Sequence, residues 1–97
     1  MIYELSATEN FDLWLTHLDG SLKKRLASRL AQVECGNFGD FKLLGESLFE
    51  LRFTYGGGLR VYYTLRGSTV VLLISGGNKS SQAKDIAKAK LLLAELE

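Results

Sequence analysis

The sequence predicts an α+β domain in which a small antiparallel sheet carries an N-terminal helical hairpin and a C-terminal helix, in the order β-α-α-β-β-β-β-α. Three observations predict it. Apolar residues recur with a helical period before residue 36 and again after residue 80, the period shifts to two between 41 and 75, and the breaks carry glycine in a chain that has no proline. At 97 residues the chain is read as one domain, 1–97, with a modest core.

Residues 2–5 alternate and read as an edge strand. Ser6-Ala7-Thr8-Glu9 offers a capping box for the first helix, whose stripe is Phe11, Trp14, Leu15 and Leu18. Asp19-Gly20-Ser21 stops that helix and caps a second one, which buries Leu22, Leu26, Leu30 and Val33 and ends near Gly36. Runs at 42–44, 48–54, 59–66 and 69–75 read as strands separated by glycine-containing turns at 45–47, 56–58 and 67–68. The run 69–75 is apolar on both sides and is therefore placed inside the sheet. Ser80 and Ser81 are read as caps of a final helix that buries Ile86, Ala89, Leu93 and Leu96 and leaves Lys84 and Lys88 outside. All helices are expected on one face of the sheet, the other being free for function.

Alternation decides what reaches that face. Phe49, Leu51 and Phe53 point one way, so Glu50 and Arg52 point the other; Leu59, Val61, Tyr63 and Leu65 are core, so Arg60, Tyr62, Thr64 and Arg66 share the second face. Pairing through Gly56-Gly57-Gly58 makes Arg52 and Arg60 neighbours. Two readings follow. Either Glu50 sits between the arginines as an anion, or they clamp a phosphate with forked donors while Tyr62 stacks on a base.

Net charge is +1, but residues 1–19 carry Glu4, Glu9, Asp12 and Asp19 and no Lys or Arg, while 41–90 carry eight basic residues against Glu46, Glu50 and Asp85. A basic second half is compatible with a phosphate-binding face. No run is long enough to cross a bilayer, the N-terminus lacks the basic and apolar parts of a secretory signal, and the single Cys35 can form no internal disulfide. These features point to the cytoplasm. His17 is read as a surface residue, Cys35 as a small packing residue, Trp14 as core, and Lys23-Lys24-Arg25 as a solvated helix face; Gly76-Gly77 with Lys79 lacks the spacing of a nucleotide triphosphate loop.

The run Glu50-Leu51-Arg52, then Tyr55 to Tyr63, then Leu73 to Gln82, with Gly36-Asn37-Phe38-Gly39-Asp40 and Trp14-Leu15, closely resembles the phage-derived addiction-module killer family of the RelE superfamily, which includes HigB-like toxins. The resemblance implies a RelE-like fold and a toxin of a type II toxin–antitoxin system: a ribosome-dependent endoribonuclease that cuts translated mRNA by 2′-hydroxyl attack, with no metal and no cofactor. It implies that Arg60 and Arg52 bind the scissile phosphate and that Lys79 protonates the leaving group or holds a neighbouring phosphate. Lys42, Tyr62 and Arg66 are RNA-contact candidates. At the position of Glu50 the better-studied RelE pattern has a lysine, and its tyrosine near the C-terminus is missing here, so the general base is left open between Glu50 and Tyr62. The partners implied are the ribosome and mRNA, a cognate antitoxin of helix-turn-helix type, and operator DNA only through that antitoxin, with no membrane. Alternatives of the same fold are a non-catalytic ParE-like gyrase inhibitor and an inactive, antitoxin-binding relic.

Overall fold

The computed structural model describes residues 2–96. Strand β1 (Glu4–Ala7) leads into helices α1 (Glu9–Thr16) and α2 (Gly20–Glu34). Strands β2 (Phe41–Gly45), β3 (Leu48–Arg52), β4 (Arg60–Arg66) and β5 (Val70–Gly77) follow, and a short 3-10 turn at Lys79–Ser81 opens helix α3 (Gln82–Leu96). The strands form one five-stranded sheet in the order β1-β5-β4-β3-β2. The α+β class and the element order are as expected. The sheet is mixed, because β1 lies parallel to β5 while the other pairs are antiparallel. β1 is an edge strand, two residues later than the sequence suggests, and β5 is internal.

Start signals decide the helix boundaries. Because β1 continues to Ala7, paired with Leu73, Ser6 is still in the strand. The N-cap of α1 is therefore Thr8, which accepts from the Phe11 N–H, in place of the expected Ser6–Glu9 box. Asp19 caps α2 as expected, accepting from the Leu22 N–H at 3.0 Å. At the start of the last helical segment the cap is Asn78, whose side chain accepts from Ser80 and Ser81, the residues expected to cap.

The larger departure concerns the second face. Phe11, Leu26 and Val33 pack with Leu51, Val61, Tyr63, Val71 and Leu73 on one side of the sheet. Ala89 and Leu93 of α3 pack with Leu48, Tyr62 and Ile74 on the other. The helices do not share a face: α3 covers the side expected to be free. The physical reason lies in the strands, since Leu48, Tyr62 and Ile74 are too apolar to leave in water. Leu65 and Leu96, both expected in the core, are exposed, and Cys35, expected to pack, is exposed at the end of α2.

A bulge sets the phase of β5. Tyr62 pairs with Ser75 and Tyr63 with Leu73, so Ile74 is the extra residue. Thr8 takes up the carbonyls there, its N–H donating to Leu73 and its hydroxyl to Ile74 at 2.6 Å. Beyond the bulge Gly76 pairs with Val61 and faces α1, while Gly77 pairs with Arg60 and faces α3. A Cβ on Gly76 would lie 2.5 Å from the Trp14 indole, and one on Gly77 would overlap the Asp85 carboxylate. Gly76→Ala is expected to lower unfolding stability by about 1–3 kcal/mol, the usual cost of overpacking, as read by chemical denaturation; unchanged stability would show that the indole is free to move.

Candidate functional site

Register brings the charged residues together. Lys42, Glu50, Tyr62 and Ser75 form one cross-strand row, and Arg52, Arg60 and Gly77 form the next. Glu50 is fully buried, Arg60 is 7% exposed, and the Arg52 side chain is 39% exposed. Glu50 Oε1 lies 3.8 Å from Arg52 Nε, and its Oε2 lies 3.6 Å from Arg60 Nε. From α3, Gln82 Nε2 donates to the same Oε2 at 3.0 Å. The anion between the arginines, one of the two readings open in the sequence, is present as Glu50.

The loop Tyr55–Leu59 closes the end of the cluster. Gly56, Gly57 and Gly58 all have positive φ (63°, 70° and 76°), which side chains rarely adopt. Arg60 Nη1 donates to the Gly58 carbonyl at 2.6 Å, and the Lys79 N–H donates to the Gly57 carbonyl at 3.2 Å. A Cβ on Gly58 would come within 3.0 Å of both the Arg60 guanidinium and Lys79 Cβ. The Arg60 head, the glycine loop and the base of Lys79 are therefore in close apposition, with Lys79 exposed.

Four buried polar atoms of this face have no hydrogen-bond partner: Glu50 Oε1, Arg60 Nε, Tyr62 Oη and Ser75 Oγ. Burial, then the charges of Glu50 and Asp85, push the Tyr62 hydroxyl far above the ordinary tyrosine range, with Arg60 pulling against them. Neither Glu50 nor Tyr62, the two candidate bases, reaches solvent.

No protein-family model matches the chain. An uncharacterized protein of Haemophilus influenzae is 41% identical over 97 residues, covering 99% of this chain and 98% of that one. The chain belongs to the same family as that protein. Among solved structures, a mutant of the E. coli toxin RelE in the free state superposes with a TM-score of 0.72 at 23% identity, covering 92% of this chain and 94% of RelE. The RelB–RelE antitoxin–toxin complex of Methanococcus jannaschii matches with a TM-score of 0.66 at 16% identity, over 81% of this chain and 95% of that one. The intact E. coli RelBE complex matches with a TM-score of 0.63 at 23% identity, over 78% and 95%. The fold is that of RelE.

Within this RelE fold the expected residues separate. Arg52, Arg60 and Lys79 gather at one end of the sheet, and Lys42 lies exposed on the adjacent edge strand, opposite Glu50. Tyr62 is in the cluster but under α3, so it is no exposed stacking platform. Arg66 is not brought in: it is six residues along β4 from Arg60, roughly 20 Å away, and donates to the Leu96 carbonyl at the far end of α3. His17 is exposed, its Nδ1 2.8 Å from the Leu13 carbonyl.

Sequence reasoning missed Gln82 and Arg29. Arg29 sends Nη1 to the Arg52 carbonyl (3.0 Å) and Nη2 to the carbonyls of Phe38 (2.9 Å) and Asp40 (3.0 Å), its plane resting on the Phe53 ring. This fixes the end of β3, and with it Arg52. Neither Gln82 nor Arg29 carries a short-range sequence pattern; Gly39, whose φ is +65°, packs against the Arg29 guanidinium.

Arg60→Ala is expected to cost about 3–5 kcal/mol of stability, because it strands a buried carboxylate; denaturation of the double variant Glu50→Gln, Arg60→Ala should show a smaller loss. Alkali offers a second check. A tyrosine whose folded pKa lies above its ordinary value of 10.0 keeps its proton while the unfolded chain loses one, so stability falls as pH rises above 10. Tyr62→Phe should flatten that fall, and an identical pH profile would contradict the burial described.

Proposed function

We propose that this chain is the toxin of a toxin–antitoxin pair and acts as an endoribonuclease on translated mRNA, without a metal. The observation that supports it best is the convergence of Arg52, Arg60 and Lys79 at one end of a RelE fold. In this reading the ribose 2′-hydroxyl attacks the adjacent phosphorus and gives its proton to solvent, the P–O5′ bond breaks as Lys79 protonates the leaving oxygen, and a 2′,3′-cyclic phosphate and a 5′-hydroxyl result. Arg52 and Lys79, the two of these three cations that are open to solvent, meet the phosphate. Arg60 contributes a fixed positive charge from behind. Glu50 is the anchor of the arginines and not the base, since it is engaged by Arg52, Arg60 and Gln82. The rate then comes from orienting the substrate in the decoding site and from placing charge where the phosphorane forms. Solved neighbours of the fold are RelE toxins in complex with RelB antitoxins, and an antitoxin of the helix-turn-helix type is the partner proposed here.

A gyrase-inhibiting reading is favoured by one observation, the carboxylate that occupies the space between the arginines. Brief induction followed by transcript-end mapping separates the two. Cuts repeating with codon period are expected. Arg52→Ala or Lys79→Ala should each lower cleavage about a hundredfold, the effect of removing one charge-stabilising donor, while circular dichroism stays unchanged. DNA damage with intact transcripts would establish the inhibitor, and no toxicity from the intact chain would establish an inactive relic.

A further inference from the structure

Strand β2 is one edge of the sheet, and its outer side pairs with no described strand. The Asp40 carbonyl accepts from the Arg52 N–H at 2.9 Å. By antiparallel alternation Lys42 then turns its backbone groups inward, and Phe41 and Leu43 turn theirs outward. The two faces of this edge differ. On the α1–α2 side Phe41 is 50% and Leu43 57% exposed, beside a hollow of about 300 Å³ whose described lining carries no charged residue. On the other side α3 covers β3, β4 and β5 through Leu48, Tyr62 and Ile74. It leaves Lys42 exposed opposite Glu50, with Arg52 in the next row. Lys42 makes no ion pair among the described residues.

An open strand edge is a template for a further strand. A strand that adds to β2 alternates its side chains between the two faces. Those on one side meet Phe41 and Leu43, and those on the other meet Lys42 and Arg52. A second copy of this chain fits poorly, because antiparallel pairing of β2 with itself gathers two copies of Lys42 and Arg52 onto one face and adds no free anion. A nucleic acid meets the cations but has no peptide groups to pair with the edge. We propose that β2 takes up an extended peptide of alternating apolar and acidic residues as a sixth strand of the five-stranded sheet, and that the antitoxin supplies it, its carboxylates closing over Lys42 and Arg52. The docking stands on the strand itself. The identity of the donor, and the silencing that follows from covering Arg52, rest on the toxin reading above.

The probe is a synthetic peptide alternating valine and glutamate over about seven residues, one strand's length. Controls are the same residues arranged in two blocks and an alternating valine–lysine peptide. Hydrogen exchange of the intact chain, read by NMR, should slow at least about tenfold at the Phe41 and Leu43 amides with the alternating glutamate peptide, and with neither control. Lys42→Glu should weaken binding about tenfold or more by setting like charges opposite each other. Leu43→Glu should weaken it too, with circular dichroism unchanged. Protection by the blocked peptide as well, or by no peptide, overturns the proposal, and the wild-type series decides this even if a variant fails to fold. Exchange that slows as the free chain is concentrated assigns the edge to a second copy, and protection by an RNA oligonucleotide alone assigns it to nucleic acid; either overturns the peptide. Cuts that persist in a translation extract saturated with a protecting peptide overturn the silencing. Codon-periodic cuts with no protection sink the strand site and leave the ribonuclease, while protection without toxicity or cuts sinks the toxin and leaves the strand site.

Discussion

Glu50 has no exposed surface and lies between Arg52 and Arg60, and its burial is tolerable only because both guanidinium groups and the Gln82 amide face it. An isolated carboxylate in such a place would give up its hydration with nothing in return. Two arginines in cross-strand register would equally repel each other without an anion. Each member of the cluster thus makes the others possible. The arrangement also specifies where α3 begins, because Gln82 is the first residue of that helix and bonds to the carboxylate. Through α3 the same interaction fixes Asp85 against Gly77.

The end of β5 shows how little sequence is needed to seat side chains on both faces of a strand. One extra residue at Ile74 rephases the strand, so that Gly76 meets the α1 side and Gly77 the α3 side. A strand without that bulge would present the two glycines on the opposite faces. Ser75 would then stand opposite Val61 in the place of Gly76, and its side chain would meet the indole. The Thr8 hydroxyl donates to the Ile74 carbonyl at the bulge and accepts from the Phe11 N–H at the start of α1, so one atom serves both elements.

Most of this fold was legible in the chain. Alternation put Arg52 and Arg60 on one face, the glycine triplet paired their strands, and Asp19 marked the start of α2. The side taken by α3 was misjudged although the signal was present. A strand that is apolar on both sides, as 69–75 is, needs cover on both sides, and Leu48 and Tyr62 beside it said the same. The parallel sense of β1 had no local signal, since it depends on a crossing that passes through both helices and three strands. Ser6 lost the cap to Thr8 because strand pairing ran two residues further than local pattern suggested. In the candidate site, residue types and spacing identified the cations. Gln82, Asp85 and Arg29 act through tertiary placement and carry no short-range pattern.

If the chain is the proposed ribonuclease, burial divides the labour among its cations, and this bears on the chemistry more than their number does. Arg52 and Lys79 reach solvent, where a phosphate can displace water from them at small cost. Arg60 is held by Glu50 on one side and the Gly58 carbonyl on the other, so it cannot swing to follow a substrate. A cation that cannot move needs no reorganisation as charge builds on the phosphorus, and beneath a helix its field is less screened than that of a surface lysine. Glu50 offsets part of that field, so the net charge of the buried group is small and the directional donors of the exposed pair matter most. In the proposed ribonuclease the carboxylate would orient the arginines before any substrate arrives, and the exposed cations would set where the phosphate rests.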